Sequence, residues 1–137
     1  MNILDVKEEE VEARIERLER KGIKDKLCQM FEIQKELMKK YSVPINVDLD
    51  SVEGQAVVRK YAYFMVEELF EAMNLMKNRP WTKSTYPVDK NRLDDEIADT
   101  IAFFLQLMII MGYDPEKLRD IYLRKVIVNN FRIRSNY

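Results

Sequence analysis

Apolar residues recur along the chain at spacings of three and four, and nowhere do they alternate with polar ones over a strand-length run. The pattern predicts five helices and no sheet. The first, about 6–21, carries a thin stripe of Val11, Ile15 and Leu18 in a charged background, and Gly22 stands where a C-terminal cap belongs. Glu10–Arg14 and Glu16–Arg20 are i, i+4 pairs in the favourable orientation. So narrow a stripe predicts a peripheral helix, or one that packs on a partner. The second, about 24–41, repeats Leu27, Met30, Phe31, Leu37, Met38 and Tyr41, with Gln34 inside the stripe, an odd place for an amide. Pro44 and Asp48-Leu49-Asp50-Ser51 end it and supply an N-cap for a third helix, from 51 or 55 to about 78. A loop over 79–89, with Pro80 and Pro87, leads to a fourth helix, about 90–111, closed by Gly112. Asp114-Pro115-Glu116 places a cap before a first-turn proline and opens a fifth, to about 131. The fourth is apolar almost all round (Ile97, Ala98, Ile101, Ala102, Phe104, Leu105), which predicts the central, most buried position.

Acidic residues interrupt two of these apolar stripes. At about 100° per residue, Phe64, Glu68, Glu71 and Leu75 of the third helix project within a strip about 60° wide. Glu96 and Asp99 repeat the i, i+3 spacing on the fourth, sharing a face with Leu93, Phe103, Leu107 and Ile110. A short loop makes the two helices antiparallel neighbours. Each carboxylate loses hydration on burial, and like charges close together repel, so the four would have to take up protons. A divalent cation resolves both problems. Oxygen ligands without nitrogen or sulfur point to Mg2+, or Mn2+, rather than zinc. An acidic pair on a helix is ordinarily a solvated face; two such pairs on apolar stripes of neighbouring helices favour a site.

Composition narrows the chemistry further. The chain has 137 residues, the size of one domain spanning 1–137, and few glycines and prolines, as long helices require. It has no histidine and one cysteine, Cys28, which excludes a histidine base, a Ser-His-Asp triad, a thiolate metal site and an intrachain disulfide. A di-iron bundle, which needs Glu-x-x-His repeats, is set aside on the same ground. Carboxylates with Lys, Arg, Asn, Gln or Tyr must carry any reaction. A formal charge of −1 gives no global attraction to nucleic acid or to an anionic membrane. No apolar signal segment follows Met1, and the most apolar stretch, 101–111, is short and contains Gln106, so a cytoplasmic protein without a membrane span is expected.

The pattern E-E-x-x-E at Glu67, Glu68 and Glu71, followed after a loop by E-x-x-D at Glu96 and Asp99, resembles the all-α NTP pyrophosphatase superfamily, which includes MazG and the dimeric dUTPases. Lys125, Asn129, Arg132 and the terminal Tyr137 are similar to the K-x-x-x-N-x-x-R-x-x-x-G-Y ending of dimeric dUTPases and bacteriophage dCTP/dUTP pyrophosphatases. The likeness covers 24–137 and leaves out the first helix. It implies an all-α helical bundle of MazG-like architecture in which Glu68, Glu71, Glu96 and Asp99 bind metal. Glu67 would be auxiliary, and Glu67, Glu68 or Glu71 would orient or deprotonate a water. Gln34 and Trp81 match the positions that meet the nucleobase, and Lys125, Asn129, Arg132 and Tyr137 complete the substrate site. Leu37 stands where the dUTPase pattern has asparagine, which points away from strict uracil selection and toward the phage type. Asn136 replaces the glycine of the closing pair; asparagine tolerates the left-handed backbone better than most residues.

The implied activity is magnesium-dependent hydrolysis of dUTP, dCTP or both between the α- and β-phosphates, giving the monophosphate and pyrophosphate. A homodimer is expected, since a thin helical shell cannot cover every apolar face. The alternatives are a MazG-like pyrophosphatase of broader specificity and a catalytically inactive helical interaction protein.

Overall fold

A computed structural model describes residues 3–135, and all regular structure within them is helical. A 3-10 turn at Ile3–Asp5, which the apolar pattern did not signal, precedes α1 (Glu8–Arg20). Then follow α2 (Lys26–Lys40), α3 (Val52–Asn74), α4 (Lys90–Ile110) and α5 (Pro115–Arg134). Four of the five starts are side-chain capped. Asp25, Ser51, Asp89 and Asp114 accept from the backbone N–H groups of Cys28, Gly54, Arg92 and Lys117 at 2.9, 2.9, 3.2 and 2.7 Å, satisfying donors that the helix itself leaves orphaned. α1 lacks such a cap and instead opens on Glu8, Glu9 and Glu10, whose charges suit the positive end of the helix dipole. Gly22 and Gly112 close α1 and α4 with φ of +82° and +81°, the left-handed conformation that glycine adopts without a Cβ penalty.

The core is small. Phe31 and Met38 of α2 meet Leu105, Ile109 and Ile110 of α4, with Val57, Val58 and Tyr61 of α3 and Leu118 of α5 packed around them. α3 lies along α4 over most of its length, and α2 covers part of another side. The 41–51 segment straps the C-terminal end of α4, Asn46 and Val47 donating to the carbonyls of Ile109 and Ile110 at 3.4 and 2.9 Å. α1 rides on α2 through the buried Leu18 and a forked pair in which Arg17 donates to both carboxylate oxygens of Glu36, at 2.8 and 2.7 Å. Its expected i, i+4 support is half realised: Arg20 reaches Glu16 at 2.9 Å, whereas Glu10 and Arg14 form no ion pair among the described residues.

Two expectations need correction. The third helix ends at Asn74, not near 78. The side chain of Asn78 instead clasps the loop, donating to the Tyr86 carbonyl at 2.9 Å and accepting from the Tyr86 amide at 2.8 Å. That pair of hydrogen bonds mimics backbone pairing and competes with another helical turn. α4 is buried only toward its C-terminus (Leu105, Leu107, Ile109, Ile110), while Phe104 is partly exposed and Ile101 faces an open apolar groove between α4, α1 and α2. α5 turns away from α4 by 102° at the 111–114 break. It packs chiefly on α2, and Ile127, Phe131 and Ile133 are each about 70% exposed or more. Among the described residues no single helix is long and apolar enough to cross a membrane.

Candidate metal centre

The antiparallel α3–α4 pair brings the two acidic motifs face to face. Glu68 from α3 and Glu96 and Asp99 from α4 each place a carboxylate oxygen within 4.8 Å of the others. Phe64 and Phe103 lie one turn away with ring centroids 5.7 Å apart, fixing the register of the two helices beside the acids. An octahedral magnesium ion with ligands at about 2.1 Å holds opposite oxygens about 4.2 Å apart. The observed spacing, up to 4.8 Å, is wider than that span, so one ion would have to draw the three carboxylates inward. All the donors are oxygen, and no histidine exists to compete, so the group fits a hard divalent cation.

The electrostatics point the same way. Glu68 is held above the ordinary glutamate range, first by loss of hydration and then by the charges of Asp99, Glu71, Glu96 and Glu67. Asp99 is raised as well, again by desolvation first, then by Asp95 and Glu71. Glu71, more exposed, falls outside the close trio but near enough to act on both of these acids. Glu67 is exposed on the flank. Among the described residues, Arg92 is the basic residue within ion-pair distance of the trio, its Nη2 lying 3.9 Å from Glu96.

The rest of the sequence-derived set divides. Gln34 is 6% exposed, and its Nε2 donates to Oε1 of Gln106 at 3.2 Å. Both amides line a cleft of about 330 Å³ together with Asp99, Tyr41, Tyr61 and Phe103, so Gln34 shares a cavity with one member of the acidic cluster, Asp99. Trp81 stands 78% exposed on the loop between α3 and α4 and does not line that cleft. Lys125, Asn129 and Arg132 are exposed on α5, which packs on α2 rather than on α3 or α4. The structure does not bring them to the acids of the same chain. Tyr137 lies outside the described residues.

Gln106, Tyr61 and Phe103, which the helical pattern alone does not mark as site residues, also line the cleft. One signal was available for Gln106: it is the amide in the apolar run of α4, seven residues from Asp99 and so on the same face two turns on. No family model, no curated protein and no solved structure matches the chain.

Proposed function

We propose that the chain is a magnesium-dependent nucleoside triphosphate pyrophosphatase of MazG-like architecture, acting as a homodimer on dUTP, dCTP or both. The observation that carries this reading is the convergence of Glu68, Glu96 and Asp99 within 4.8 Å, with Glu68 and Asp99 both held above their ordinary range. Such a cluster is unfavourable until a cation neutralises it. A bound divalent ion would supply charge to the phosphates and acidify a water.

The chain's own residues then have separable tasks. Glu68, Glu96 and Asp99 hold the cation, with Glu71 as the fourth ligand after a change of rotamer. Glu67, on the flank, orients or deprotonates the attacking water. The cleft that begins at Asp99 receives the base against Tyr41, Tyr61 and Phe103, in reach of Gln34. Lys125 and Arg132 suit phosphate oxygens, the arginine as a fork and the lysine as a point charge. In a dimer they would reach the acids of the other copy, since their own lie elsewhere.

One observation favours a second reading, a helical interaction protein: the exposed apolar faces of α5 and α4. A single assay separates the two. The purified protein is incubated with magnesium and dUTP, dCTP, dTTP, dATP, dGTP or UTP, and monophosphate and pyrophosphate are quantified, with Glu71→Gln in parallel. Release of dUMP or dCMP with pyrophosphate, lost in the variant, supports the hydrolase. Inorganic phosphate as the product rules out α–β cleavage, and turnover of purine nucleotides as well indicates the broader MazG-like type. No turnover with either magnesium or manganese moves the weight to the interaction protein.

A further inference from the structure

The Gln34–Gln106 pair has a property that neither amide has alone. As placed, Gln34 donates its amino group to the Gln106 oxygen, which leaves the Gln34 oxygen as an acceptor and the Gln106 amino group as a donor for other partners. Among the described residues no buried side-chain nitrogen or oxygen lacks a partner. Among the described residues the Gln34 oxygen takes up no hydrogen bond, so it keeps access to solvent through one of the two spaces the residue lines, the cleft beside Asp99 and the groove between α1, α2 and α4. Rotating both amides by 180° preserves a bond between them, now from Gln106 to Gln34, and reverses the polarity that each presents. The two states have the same number of internal hydrogen bonds and the same shape.

Position in the fold makes this reversal useful. Asp99, Phe103 and Gln106 follow one another along one face of α4, so the amides lie about 10 Å along the helix from the acidic cluster, at about 1.5 Å per residue. That is the reach of a nucleotide from its phosphate to the edge of its base. The cleft is walled by Tyr41, Tyr61 and Phe103, flat side chains suited to a planar ring, and its volume of about 330 Å³ takes one such ring rather than a large ligand.

We infer that Gln34 and Gln106 act as a reversible pair that reads the exocyclic group at position 4 of a pyrimidine and admits both polarities there. Cytosine offers an amino donor at that position and uracil a carbonyl acceptor. One sense of the pair meets the first and the opposite sense meets the second, with no buried polar group left unpaired in either complex. The inference rests on the nucleotide-hydrolase reading for its ligand, and makes Gln106 a specificity residue alongside Gln34.

The test is to lock the polarity. Gln106→Glu replaces an amide that can donate or accept with an acceptor-only carboxylate. Gln34 must then donate to it, which turns the Gln34 oxygen outward and leaves the wall facing position 4 richer in acceptors. The ratio of kcat/KM for dCTP to that for dUTP is expected to rise about tenfold or more, because a site that hydrogen-bonds one ligand rejects another that leaves its groups unpaired. Gln106→Leu removes the partner but leaves Gln34 free to turn, so both substrates should weaken together with little change in the ratio. Calorimetric binding of dCMP and dUMP to the same variants reads the cleft without catalysis. A shifted binding ratio in a protein that hydrolyses nothing would keep the inference and sink the hydrolase reading. Hydrolysis of both nucleotides with an unmoved ratio in Gln106→Glu would do the reverse. Failure of the wild type to bind either monophosphate, or equal loss of both in Gln106→Glu, overturns the inference.

Discussion

At the scale of single residues, Glu68 and Asp99 determine how the protein should respond to protons and to magnesium. Both carboxyls sit above their ordinary range, so the folded chain binds protons that the unfolded chain releases. Stability contributed by these two groups therefore rises as pH falls through their raised values and is lost again as pH climbs above them. On the proposed function, magnesium would compete with those protons. The thermal stabilisation that it gives is expected to be large at neutral pH and to shrink through the same acidic interval, which differential scanning fluorimetry with and without magnesium can follow. Glu68→Gln should remove most of the magnesium-dependent shift yet leave the metal-free protein as stable as the wild type or more so, because it relieves repulsion from the other acids. Activity should fall at least about 100-fold, since even partners one shell outside a metal ligand cost about 10–100-fold. A variant that kept the full magnesium shift would remove Glu68 from the site. These acids were legible in the sequence because a carboxylate on an apolar stripe violates the helical pattern visibly. Gln106 violates it too, but its meaning depends on Gln34 of α2, 72 positions away in the chain, and one helix's periodicity cannot report a neighbour on another.

At the scale of elements, two contacts hold the supporting helices around the site. Arg17 of α1 forks onto Glu36 of α2 and holds that carboxyl below its ordinary range. A depressed carboxylate contributes stability above its unfolded value and loses it as pH falls through the folded one. α1 should therefore loosen selectively in acid, and Glu36→Gln should reproduce that loosening at neutral pH. Hydrogen exchange would show it as lost protection confined to α1, with α3 and α4 unchanged; uniform loss would mean that α1 is integral to the core. At the other contact, a Cβ on Gly54 would lie 1.9 Å from the carbonyl oxygen of Asp48 and 2.8 Å from the capping hydroxyl of Ser51. Gly54→Ala should cost about 1–3 kcal/mol, the range for overpacking a filled site, read as a lower urea midpoint. The helices themselves were legible because four of their starts carry an Asp or Ser cap and two of their ends a left-handed glycine. The end of α3 was not, because what stops it is a hydrogen bond from Asn78 to Tyr86, formed only once the loop has folded back.

At the scale of the whole molecule, the surface is too large for a chain of this mass. It exposes 10943 Å², where a compact monomer of 16.4 kDa has roughly 7,500 Å². The difference, about 3,400 Å², exceeds what an uneven shape easily accounts for, and much of it is apolar: Ile127 and Phe131 of α5 are each 69% exposed, and Phe70 of α3 is 63% exposed. If half of that excess were covered on each of two copies, the interface would total about 3,400 Å², within the roughly 2,000–5,000 Å² of obligate homodimers. In such a dimer the cations of α5, which the fold does not bring to the acids of their own chain, would be free to meet those of the other copy. Light scattering on the wild type should give a mass of at least two chains at micromolar concentration. Ile127→Asp combined with Phe131→Asp should shift it to one chain by placing two charges where apolar contact is needed. If hydrolysis draws Lys125 and Arg132 from the partner, that monomer should still bind magnesium through Glu68, Glu96 and Asp99 but lose turnover. A Lys125→Ala/Arg132→Ala protein, which keeps the apolar face of α5 and so still pairs, should lose turnover alone and regain it when mixed with Glu68→Gln, because its intact acids then meet the cations of the other copy. Activity retained by the isolated monomer would show that one chain suffices, and the exposed faces of α5 would then need another explanation.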